Sequence, residues 1–260
     1  MPFPYLFAIS GGVILGLMIT LWLLSLCSRN ASIIDIAWGI IFLLLAWLAF
    51  ALTPQGYLPR KLLICRLVTI WGLRLALHVG IRNRGKPEDF RYANWRAENG
   101  ERWQWLSLFQ VFLLQGFLVW IISAPILAAQ TSGFPAILTP MDLIGTMIWL
   151  IGFVFETVGD LQLMLFKANP ANQGKLLTTG LWRFTRHPNY FGDAVLWWGF
   201  YIIALAAGEG WTIFSPILMT FLLIRVSRAA MLEQHLGQKP GYKEYVRATS
   251  AFLPWFPKKQ

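Results

Sequence analysis

Seven runs of about twenty mostly apolar residues constrain this chain more than any other feature. They lie at about 5–27, 33–52, 62–81, 105–128, 141–166, 189–207 and 211–230. Backbone N–H and C=O groups cannot stay unpaired in hydrocarbon, so each run reads as a transmembrane α-helix. Composition agrees: 57% of the 260 residues are hydrophobic and only 13% charged, more apolar surface than a soluble core of this length hides. The first run carries no Lys or Arg before it and is too long for a cleaved leader, so it reads as a retained helix. No internal repeat or low-complexity tract interrupts the pattern. The expected fold is an all-α integral membrane protein, one domain over 1–260 with seven transmembrane helices.

The formal charge of +10 does not point to nucleic acid, because the basic residues are not spread evenly. Eighteen Lys and Arg fall after the first, third and fifth runs or at the end of the seventh and in its tail, against Arg60 and Lys61 alone on the opposite side. The positive-inside rule then places the N-terminus outside and the C-terminus in the cytoplasm. Cys27 and Cys65 fall at opposite membrane faces, which excludes a disulfide between them.

This orientation gives the polar residues a depth. Asp35 opens the second run; Glu156 and Asp160 lie four apart near the cytoplasmic end of the fifth; Asn189 and Asp193 lie four apart at the start of the sixth. Charged groups at membrane depth face a bundle interior or a wet cavity, so the acids outline a cavity open to the cytoplasm. Each also has a plainer reading. Asp35 after Ser32, like Asp193, suits the first turn of a helix.

The segment "KANPANQGKLLTTGLWRFTRHP" is the richest polar stretch. Lys167, Lys175, Arg183, Arg186 and His187 in one loop can hold phosphates through charge-assisted hydrogen bonds, or meet lipid headgroups. There is no GxGxxG or Walker sequence and no His or Cys cluster with metal-ligand spacing.

The block "GLWRFTRHPNYFGD", preceded by "DLQLMLFKANPANQGK" and followed by "YKEYVRATSAFLPWFP", resembles the steroid 5-alpha-reductase family and its sterol-reductase relatives. The resemblance covers approximately residues 140–260; the N-terminal half shares only topology, Asp35 and the "RNRGKPEDFRY" loop. It implies an enzyme that binds NADPH from the cytosol and reduces an activated carbon–carbon double bond of a steroid-like lipid. By matching positions it implies that Asp160, Lys167 and Lys175 hold the adenosine and its phosphates. Arg183, Arg186, His187, Asn189, Tyr190 and Asp193 would hold the diphosphate, ribose and nicotinamide, and Arg225 and Tyr245 would close the cytoplasmic side. Asp35 matches the acid that meets the substrate ketone. The family adds a Tyr from the third span, but "TIWGLRLALHVG" has none; Trp71 stands near that position and Tyr92 is the nearest replacement in sequence.

Such a reaction requires the protein to polarise a carbonyl, stabilise the developing enolate and exclude water. Asp35 does this best when protonated, which a buried carboxyl can be. The shorter RHPNY sequence also resembles membrane methyltransferases acting on isoprenylcysteine and phospholipids, so S-adenosylmethionine is the competing cofactor. A transporter would instead spread polar groups over the full membrane depth.

Overall fold

The computed structural model describes residues 1–226 and 240–258. Arg228, Lys239 and Lys259, three of the basic residues counted for orientation, lie outside the described residues, as does the end of the seventh run. Among the described residues the secondary structure is helical apart from a single parallel bridge between Thr185 and Ser250. The chain divides into two compact units, Met1–Thr139 with Ala204–Thr212, and Pro140–Ile203 with Ile213–Gln260.

In the first unit, α1 (Phe3–Ser28) ends where Arg29 takes a left-handed conformation at φ 50°. Helix α2 (Ile33–Leu52) stops before Pro54, which cannot continue the ladder, and α3 (Leu58–Asn83) starts with Pro59 in its first turn. These two helices pack backbone to backbone where Gly39 meets Gly72; a Cβ on either would collide with the other's carbonyl. Arg60 and Lys61, expected as outer-loop charges, are buried in the first turn of α3. The Lys61 ammonium donates to the carbonyls of Phe50 (2.9 Å) and Thr53 (2.6 Å), satisfying the end of α2. Arg60 likewise donates to Ile137 O at 3.1 Å.

The fourth helical stretch starts earlier than its apolar run. Helix α4 (Phe90–Asn99) begins where the Asp89 side chain accepts from Arg91 N, and it is too polar to read as a span. It continues through α5 (Trp103–Ser107), a π-helical turn over Leu108–Leu113, α6 (Leu114–Ile122) and α7 (Ala124–Thr131).

In the second unit, α8 (Pro140–Ala168) packs against α9 (Pro188–Ala206) along a seam of glycines. Gly145, Gly152 and Gly159 on α8 recur every seven residues, as do Gly192 and Gly199 on α9, so the same face returns every two turns. A Cβ on Gly192 would run into the α8 backbone at Glu156, and one on Gly199 would sit 2.7 Å from Gly145 O. The chain then forms α10 (Phe214–Phe221), continued by a π-helical turn to Val226, and α11 (Tyr242–Ala248).

Among the described residues, five helical stretches are long and apolar enough to span a membrane: Phe3–Ser28, Ile33–Leu52, Leu58–Asn83, Phe90–Thr131 and Pro140–Ala168. These account for the first five of the seven expected runs. The sixth run is a helix, but Asn189, Tyr190 and Asp193 with its Gly and Trp residues lower its mean hydropathy. The seventh is described as a shorter apolar helix, Gly210–Arg225.

Candidate functional site

Each unit gathers a distinct set of polar groups. In the first, α2 and α4 bring Asp35 and Tyr92 together: the phenol donates to Asp35 Oδ1 at 3.2 Å. Tyr92 is almost wholly buried and Asp35 half-buried. The loop before α4 is tied to the start of α2, because Asp89 N donates to Ser32 Oγ (2.8 Å) and Ala31 N to Glu88 Oε1 (2.6 Å). Ser32 therefore serves the neighbouring loop and makes no side-chain cap on its own helix. Arg91 Nη2 lies 3.8 Å from Asp35 Oδ2 while its Nε donates to Asp89 Oδ1 at 2.9 Å. Gln115 on α6 donates to the Tyr92 hydroxyl at 3.2 Å and accepts from Trp38 Nε1 at 2.7 Å. Trp71 is buried against the Phe42 ring, 5.6 Å between centroids, and contributes packing.

The same unit holds an apolar hollow of about 390 Å³ lined by α1 and the 113–120 stretch, floored by Gly11 and Gly116 and edged by Trp120.

In the second unit the glycine seam fixes the register of α9 on α8, and Asn189 Nδ2 donates to the buried Asp160 Oδ1 at 3.0 Å. On either side of Asp160, Gln162 Oε1 accepts from Leu181 N (3.0 Å) and Gly159 O from Trp182 Nε1 (3.1 Å), tying the 180–183 turn to α8. Gly180, at φ 62°, lets that turn form; a side chain there would strike Gln162. The C-terminal residues strap across this turn. Arg186 N donates to Ser250 O (2.9 Å), Thr185 Oγ1 to Phe252 O (2.8 Å) and Trp255 N to Phe184 O (2.9 Å). The Tyr245 hydroxyl donates to Trp182 O. Burial pushes the Tyr245 phenol above its ordinary range, with nearby Arg186 pulling it back, so it keeps its hydrogen at neutral pH.

The second unit holds a pocket of about 430 Å³, within the roughly 300–1,000 Å³ typical of small-molecule sites. Lys167, Gln173, Lys175, Arg186, His187 and Tyr245 line it. No Asp or Glu is among its lining residues in the described part of the chain. Of the other residues expected at a cofactor, Asp160 and Asn189 pair with each other outside the pocket lining, and Tyr190 stacks on His187, 5.5 Å between centroids. Asp193 lies a turn further along α9, while Arg183 and Arg225 are exposed; none of these lines the pocket. Sequence reasoning missed Tyr242, Trp182 and Gln162. Tyr242 and Tyr245 stand three apart in α11, a spacing that puts both on one helix face.

An uncharacterized protein of Schizosaccharomyces pombe, C594.04c, is 27% identical over 264 residues, covering 90% of this chain and 75% of that protein. A probable O-methyltransferase of Ustilaginoidea virens, ustE, is 28% identical over 48% of the chain and 43% of its own length. A Delta(14)-sterol reductase of Arabidopsis thaliana is 30% identical over 45% of the chain and 33% of its own length. The chain thus spans less than half the length of either of these two relatives. No solved structure matches. The model of the family described as "Protein of unknown function (DUF1295)" matches residues 21–249, and the chain belongs to that family.

Proposed function

We propose that this protein is a membrane enzyme of the sterol-reductase type, using NADPH to reduce the conjugated double bond of a steroid-like or other lipid enone. The observation that carries this reading is the pocket of the second unit, whose lining brings together Lys167, Lys175 and Arg186. Three cations suit the phosphates of a dinucleotide, and Arg can grip them bidentately. The zwitterionic methyl donor S-adenosylmethionine brings no phosphate for them to hold.

NADPH, when bound, supplies the hydride. The chain's own residues bind the cofactor and polarise the substrate. Lys167, Lys175 and Arg186 hold phosphates, and Tyr245, tied to Trp182 O, lines the same pocket. In the first unit Asp35, in its carboxyl form, donates to the substrate carbonyl. Tyr92 donating to Oδ1, and the Arg91 guanidinium at 3.8 Å, stabilise the carboxylate that forms as the proton leaves. The apolar hollow beside α1 offers a flat hydrophobic substrate a place within the membrane. The sterol reductase among the relatives supports this reading.

A second reading, methyl transfer from S-adenosylmethionine, is favoured by the O-methyltransferase relative. Product analysis separates them. Purified protein with NADPH and a 4-en-3-one steroid should yield the saturated ketone; methyl transfer from labelled S-adenosylmethionine to an acceptor lipid, with no reduction, would overturn the proposal.

A further inference from the structure

The hydrogen-bond chain of the first unit has only one possible direction, and Trp38 sets it. An indole N–H can only donate, so the group facing it at 2.7 Å must be the Gln115 carbonyl oxygen. That fixes the amide, and Gln115 then turns its NH₂ toward the Tyr92 hydroxyl, 3.2 Å away. An amide nitrogen cannot accept, so the phenol oxygen accepts and its single hydrogen goes to Asp35 Oδ1 at 3.2 Å. Three helices contribute, α2 through Trp38 and Asp35, α4 through Tyr92 and α6 through Gln115.

We propose that Trp38 and Gln115 are positioning residues that aim the Tyr92 hydroxyl at Asp35, making Asp35 the end of a one-way donor chain. The inference deepens the reading of Asp35 as the acid and rests on it for its catalytic meaning. Each bond of such a chain strengthens as charge grows on the final acceptor. As Asp35 passes its proton to the substrate oxygen, an O–H bond breaks on the carboxyl and forms on the substrate, and the chain stabilises the carboxylate left behind. The Tyr92 hydrogen is already committed, so Tyr92 supports the acid without being the donor itself. This resolves the missing third-span Tyr: the chain places its phenol on α4 and orients it from α6.

The geometry makes an unusual demand, that two residues which do not hydrogen-bond Asp35 tune it. Infrared difference spectra between the wild type and Asp35→Asn isolate the Asp35 carboxyl bands. Gln115→Leu removes the donor to Tyr92; the near-isosteric Gln115→Glu keeps the fold but accepts from Trp38 and Tyr92 alike, drawing the phenol hydrogen off Asp35. Both variants should move the Asp35 band, and Trp38→Phe should move it less, since the amide survives but loses its orientation. In turnover, Gln115→Leu should lower kcat about tenfold while the KM for NADPH stays unchanged. Asp35 bands identical to wild type in both Gln115 variants would overturn the chain. If the wild type reduces no enone yet the bands move as stated, the chain stands and the assigned reaction falls.

Discussion

Single side chains make the sharpest claims. Asp35→Ala should nearly abolish enone reduction and leave NADPH affinity intact, since Asp35 is not among the residues lining the pocket. Tyr92→Phe should cost less than Asp35→Ala, because it removes one bond to the acid and keeps the acid. Steady-state turnover measured beside cofactor binding checks both; full activity in Asp35→Ala would remove that residue from the mechanism. Arg186→Ala should weaken NADPH by about 1.5–3 kcal/mol, the cost of a hydrogen bond to a charged group. Titration calorimetry showing unchanged affinity would place the cofactor elsewhere. Arg183→Ala is the matched control, exposed and off the pocket lining, and should change affinity little.

At the scale of elements, the glycine seam between α8 and α9 fixes the register of the helices that carry Asp160 and Asn189. Gly192→Leu forces a side chain into the α8 backbone and should destabilise the protein by about 1–3 kcal/mol or more, as overpacking does. A thermal melt in detergent checks this, and an unchanged midpoint would mean the helices separate easily. The seam was written in the sequence as glycines seven apart, but heptad spacing alone does not say which helix a glycine meets. Helix α4 was hidden for a different reason: "FRYANWRAEN" has no apolar run, and its start depends on the Asp89 cap and on tertiary ties to Ser32. The basic loop was legible because charge-bearing residues in a chain only 13% charged stand out. Its strap was not, because Arg186 N to Ser250 O joins residues sixty-four apart through backbone atoms that carry no sequence signal. Likewise Arg60 and Lys61 read as loop charges, since nothing local reveals that carbonyls of α2 and of Pro135–Ile137 await them.

For the whole molecule, the central claim is that a lipid-embedded helical protein keeps a dinucleotide pocket in Pro140–Ile203 with Ile213–Gln260. Orientation follows from the basic asymmetry, which predicts a C-terminal reporter active only in the cytoplasm; activity only outside would invert the topology. The measurement that bears most directly on the account compares equilibrium binding of NADPH, NADH and S-adenosylmethionine to the purified full-length protein, wild type and Lys175→Ala. NADPH should bind about tenfold or more tighter than NADH, since one phosphate held by charged donors is worth that much, and Lys175→Ala or Arg186→Ala should weaken it. Saturable binding of S-adenosylmethionine with none of NADPH would contradict the account.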